Sequence, residues 1–215
     1  MYRMTRLPRS SSGRPLPPFA LMRDHRGGPL SVEIYRAERH QARVLEMLGV
    51  ARSNASAFCC AFPGDLHPVA DAFDLAQRVH SYREPGGALI VLAPKAGARP
   101  HETGGALPLA GVGWDVVGLA DLSLARHDVA DIGLMFGVAH PEAGVAALHA
   151  IDVLARHRAL RTIFAETDRR THPLGPVFAD AGFEVTHSSA EAGVRFKKEL
   201  TGATHRPAPL AVYQP

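Results

Sequence analysis

Apolar residues switch between two spacings along the chain. From Ala130 to Val138 they alternate. Ile132, Leu134, Phe136 and Val138 share one face of an extended strand, and Asp131, Gly133, Met135 and Gly137 share the other. The second face carries little side chain, so a ligand or a backbone can approach it closely. Pro141 suits the first position of a helix, where its missing N–H costs nothing. Beyond it the spacing turns helical. Ala147/Leu148, Ile151 and Leu154/Ala155 form a stripe, with Glu142, His149 and Arg156 opposite. Thr162 to Ala165 reads as a second strand, closing on Glu166. A turn and a short helix through Val177 and Phe178 follow, and Gly182 stands where a helix C-cap wants positive φ. Strand, helix, strand and helix with short joints predict a crossover unit with parallel strands.

The flanking segments extend this pattern. Ser31 to Tyr35 alternates as a first strand, and Glu38 to about Gly49 is helical with Val44, Leu45 and Leu48 inward. Ala51 to Leu66 reads as irregular. Pro68 opens a second helix with a stripe of Val69, Ala72, Phe73, Ala76 and Val79, which Pro85-Gly86-Gly87 ends. Ala88 to Leu92 is a continuous apolar run, predicting a strand buried on both faces. Residues 93–113 read as a long connection bordering a substrate site, and Trp114 to Leu124 as the next strand. Two short strands, near Val185 and from Val194 to Leu200, complete the order β-α-α-β-β-β-α-β-α-β-β.

This order, with its acids and closing motif, resembles the GNAT N-acetyltransferase family over residues 31–200. The residues that carry the resemblance are Ala130-Asp131-Ile132-Gly133-Leu134, then Phe164-Ala165-Glu166-Thr167, then Asp180-Ala181-Gly182-Phe183-Glu184. The element spacing is similar to GNAT domains that acetylate protein lysines in bacteria. The resemblance implies an α/β fold with a mixed central sheet of about six or seven strands flanked by about four helices. It also implies acetyl-CoA as co-substrate. Main-chain groups of Leu134, Met135, Phe136 and Val138 would pair with pantetheine. The turn and helix start at His140, Gly144, Val145 and Ala146 would hold the pyrophosphate, with Thr171 standing where the family often has Asn. Asp131 and Glu166 would be the candidate general bases. The turn departs from the family form Q/R-x-x-G-x-G/A, since Pro141 and Glu142 occupy it. Proline removes a donor and glutamate adds negative charge beside a polyphosphate, so this is a poor anion cradle.

Each candidate has a plainer role beside the chemical one. Asp131 could pair Arg126, Glu166 could pair Arg169 or Arg170, and His172 could cap a helix. No Tyr stands between Tyr82 and Tyr213 to serve as the family's general acid. Two functions follow. One is transfer of an acetyl group to an amine, on a small molecule or a protein lysine. The other is a GNAT-shaped binding or regulatory module without catalysis.

Charge and cysteines narrow the setting. The first 30 residues hold six arginines against the single acid Asp24, a surplus of +5 against +3 for the whole chain. The basic balance therefore belongs to a Pro/Arg-rich leader, expected to be disordered, and not to a folded nucleic-acid face. Residues 201–215 read as a second tail. No apolar run reaches the ~18–20 residues that would span a bilayer, so no membrane partner is expected; a homodimer is left open. The adjacent pair Cys59 and Cys60 offers no disulfide scaffold, which points to a reducing cytoplasm. The twelve histidines are scattered without ligand spacing, so no metal is expected.

Overall fold

Alternating segments assemble into one mixed sheet, seen in a computed structural model that describes residues 21–23, 29–61, 88–94, 114–167, 174–189 and 193–200. The strands are β1 (Leu21–Arg23), β2 (Pro29–Ile34), β3 (Phe58–Ala61), β4 (Ala88–Pro94), β5 (Trp114–Arg126), β6 (Val129–Gly137), β7 (Thr162–Thr167), β8 (Glu184–Ser189) and β9 (Gly193–Glu199). Their order is β1-β2-β4-β5-β6-β7-β9-β8, with β3 paired to β6. Among these pairs only β6–β7 is parallel, as the crossover pattern predicts. The helices among the described residues are α1 (Ala37–Ser53), α2 (Pro141–His157) and α3 (Leu174–Asp180).

Strand alternation divides the core in two. Ile132, Leu134 and Phe136 of β6 and Ile163 and Ala165 of β7 face α2 and α3 in the larger cluster. Met135 of β6 and Ile90 and Leu92 of β4 face α1 in the smaller one. On α1 the inward stripe is Val44, Met47, Leu48 and Ala51, at i, i+3, i+4 and i+7. Leu45, expected inward, is 39% exposed because it lies one position off this stripe. No side-chain cap sits at Arg36, before α1. Instead buried His40 accepts the Arg36 N–H at Nδ1 over 2.9 Å, one turn into the helix, which sets its tautomer and aims Nε2 at Glu33.

Several expectations are corrected. Leu21–Arg23 is not free leader but pairs antiparallel with β2, which itself begins at Pro29. The cysteine segment expected to be irregular forms a 3-10 turn, Ala55–Ala57, and the strand β3. The mixed sheet stands as expected, and among the described residues these two short strands bring it to nine. The helix expected after Pro68 and residues 95–113 lie outside the described residues.

Two junctions lock the crossover unit. Phe178 of α3 stacks on Phe196 at 4.4 Å and meets Phe183 edge-on at 5.2 Å. Lys198 donates to the Ala181 carbonyl at 2.7 Å and lies 3.3 Å from Asp152 of α2, so β9 ties α2 to the residue that follows α3. Gly182 takes φ +79, as its C-cap position requires. Gly144, buried in the first turns of α2, admits a close approach. A Cβ there would lie 2.7 Å from the Phe136 ring and 2.9 Å from Val177. Gly144→Ala gains about 1 kcal/mol of helix propensity but overpacks two fixed side chains, a cost of roughly 1–3 kcal/mol. Chemical denaturation is expected to show a net loss of stability; a more stable variant would mean that α2 can lift off Phe136 freely.

Candidate functional site

On the face of the sheet that Met135 shares, polar residues collect toward the start of β6. Asp131 of β6 lies across from Ser123 of β5 and in parallel register with Phe164 of β7. Asp121, opposite Gly133, is 1% exposed. Alternation puts Glu166 on the same face as Phe164, and Glu166 pairs with Arg195 of β9 at 3.2 Å. The Arg195 guanidinium also lies 4.3 Å from the Phe164 ring centroid, which fixes it over the strand. A cavity of about 470 Å³ opens here, lined by Asp131, Arg126, Val129, Thr162, Phe164, Arg195 and Lys197 among others.

Electrostatics single out Asp131. Burial holds its pKa above the ordinary aspartate range, and the nearby charges of Glu166 and Asp121 push the same way while Arg195 opposes them. A half-buried carboxylate among acids is a stronger proton acceptor than a free one. Arg169 and Arg170, the partners anticipated for Glu166, lie outside the described residues. Arg195, 29 positions after Glu166, supplies the cation for both acids. Nothing in the sequence signalled it except its alternate position in Gly193–Glu199.

Toward the C-terminal end of β6 the backbone from Leu134 to Phe136 is paired on both edges. Pairing with β7 stops at Ile132/Ala165, although β6 continues to Gly137 and β7 to Thr167. The wedge between them holds β3, with Ala61 opposite Leu134, Cys60 opposite Met135, Cys59 opposite Phe136 and Phe58 opposite Gly137. Val138 donates its N–H to the Ala57 carbonyl at 2.8 Å, and the Thr167 hydroxyl donates to the Cys60 carbonyl at 3.4 Å. Leu134, Met135 and Phe136 therefore have β5 on one edge and β3 on the other.

The turn that follows also makes bonds of its own. His140 gives its N–H to Gly137 and receives that of Ala143 at its carbonyl, and its Nδ1 lies 3.4 Å from Glu142. Gly144 faces Phe136 and Val177, Ala146 is buried, and Val145 packs half-buried against the same core. Thr171 and His172 lie outside the described residues. Burial, with Cys59 as neighbour, pushes the Cys60 thiol up to about 12, and burial also raises Cys59. Neither is a thiolate nucleophile near neutral pH. Among the described residues no group of three or more His, Cys, Asp or Glu could hold a metal ion, and no helix is long and apolar enough to cross a membrane.

This arrangement fixes the direction in which Asp131 answers to its neighbours. Glu166→Gln removes a like charge and releases Arg195, and both changes lower the Asp131 midpoint. Arg195→Met removes the opposing charge and leaves Glu166 without it, and both changes raise it. Carboxyl-carbon NMR titration is expected to show the two variants moving in opposite directions; a common direction would contradict the charge map.

No protein-family model and no curated protein matches the chain, but solved structures do. The GNAT domain of S. lividans PAT superposes with a TM-score of 0.60 at 16% identity, covering 84% of this chain and 96% of that one. Salmonella typhimurium yncA, solved with its cofactor acetyl-CoA, gives 0.55 at 15% identity over 85% and 98%. Aminoglycoside 6'-acetyltransferase type Ii gives 0.52 at 10% identity over 80% and 97%. At these identities the likeness speaks to architecture: the chain has the α/β fold of the GNAT N-acetyltransferases.

Proposed function

We propose that the chain is an acyltransferase that acts on an amine, with Asp131 as general base. The observation that carries this reading is the cavity on the open face of β6, where Asp131 stands half-buried with its pKa raised. An amine is protonated near neutral pH and cannot attack until it gives up a proton. Asp131 accepts that proton from the nitrogen, and its raised pKa brings it closer to the amine's own. The Glu166–Arg195 pair, packed on Phe164, forms the polar rim that orients the acceptor. A small-molecule amine or a protein lysine meets these requirements.

Acetyl-CoA is the donor that the fold suggests, and yncA was solved with it. The residues present do not fit it as they stand. The main-chain edge from Leu134 to Val138, where the family resemblance places pantetheine, is filled by β3 and the Ala57 carbonyl. The same observation favours a second reading, a GNAT-shaped binding module without turnover.

An acetylation assay with acetyl-CoA and a panel of amines separates the two. In the enzyme reading Asp131→Asn lowers kcat by about 10²–10⁴-fold, the range of a lost general base. The wild-type rate rises with pH through a midpoint above that of a free aspartate. Stability moves the other way. A folded pKa above the unfolded one means that ionising Asp131 weakens the fold as pH rises through that midpoint. Asp131→Asn is therefore expected to melt no lower than wild type at neutral pH, with any advantage fading as pH falls to the ordinary aspartate range. Unchanged kcat in Asp131→Asn would remove it as the base, and no turnover in the wild type would favour the module.

A further inference from the structure

The geometry points to β3 as a removable stand-in for pantetheine: coenzyme A and β3 compete for one edge of β6, and the chain in this conformation is closed by its own segment. This inference rests on the acyltransferase reading. The wedge exists because β7 leaves β6 after Ala165 while continuing its ladder with β9 to Thr167/Val194. An extended chain of four residues then completes the β6 edge. A pantetheine arm is also a narrow extended chain with amide donors and acceptors.

The inward side chains of β3 match that thinness. Cys59 and Ala61 enter the larger core, and both are small; Phe58 and Cys60 are half-buried on the other face. Withdrawal would thus leave a slot of little more than backbone width. Among the described residues β3 is held by four register pairs, the Ala57–Val138 bond, the long Thr167–Cys60 contact and the packing of its small inward side chains, Cys59 and Ala61. A four-residue strand with so few anchors is the kind of element that opens locally while the rest stays folded. Ligand binding then draws on the fraction of molecules already open.

Strand register supplies the test. Ala57 and Val138 form a hydrogen-bonded position, so alternation makes Cys60/Met135 a non-hydrogen-bonded pair, the closest kind across an antiparallel ladder. Met135→Cys places a second thiol opposite Cys60, and oxidation would pin β3 to β6. The reduced protein serves as its own control. Calorimetric titration with coenzyme A is expected to show binding in the reduced form and at least tenfold weaker binding after oxidation, restored by reductant. Hydrogen exchange should show residues 57–61 losing protection when coenzyme A binds the wild type. Equal affinity in the reduced and the verified disulfide form, or unchanged protection at 57–61, overturns the competition and leaves the acyltransferase reading standing. No binding at millimolar coenzyme A by either wild type or reduced variant overturns both.

Discussion

Two parallel strands that diverge leave main-chain groups that must find other partners, and this constraint organises the structure. Backbone N–H and C=O groups are seldom left unpaired when buried. Leu134, Met135 and Phe136 are buried, their side chains alternating between the two faces, so water cannot serve them. β5 takes one edge of β6 and β3 takes the other. The divergence is itself enforced. β7 is drawn toward β9 by a ladder running from Thr162/Glu199 to Thr167/Val194, while α2 presses on β6 through Phe136. A wedge in the sheet is the outcome, and something extended has to fill it.

The site depends on the same divergence. Asp131 sits below the point where the strands part, still in register with β7, so Glu166 and the β9 arginine come within electrostatic reach. Had pairing continued to Gly137, the two strands would present a flat surface with no slot beside the acids. The paired and unpaired halves of β6 thus divide the work. Residues 129–132 position charge, and residues 134–137 offer an edge.

How much of this was legible in the sequence depends on how local the cause is. The α2 stripe, the alternation of β6 and the positive φ at Gly182 are each set within a few residues, and each could be read. The nine-residue β6 carries enough alternation to declare itself; the four residues of β3 do not. Phe-Cys-Cys-Ala has no polar position to reveal a period, and its pairing with β6 spans more than seventy residues. Leu21–Arg23 was hidden for a similar reason, since a three-residue strand inside a Pro/Arg-rich stretch has no pattern of its own. The Glu166–Arg195 pair depends on β7 lying beside β9, which only the assembled sheet supplies.

Gly144 carries a packing role beside the motif role. By sequence Gly144-x-Ala146 resembles the closing part of a pyrophosphate turn, and the missing Cβ of Gly144 also lets α2 rest on Phe136 and Val177. Packing alone would select glycine at this position. The neighbouring N–H of Ala143 already returns to His140, and Glu142 holds a carboxylate beside the His140 ring. The start of α2 still carries the positive end of a helix dipole, but an anion placed there would meet Glu142 as well. On the proposed reading, coenzyme A would therefore draw its affinity from pantetheine amides along the β6 edge more than from its phosphates at the turn, so the proposed competition with β3 would decide whether it binds.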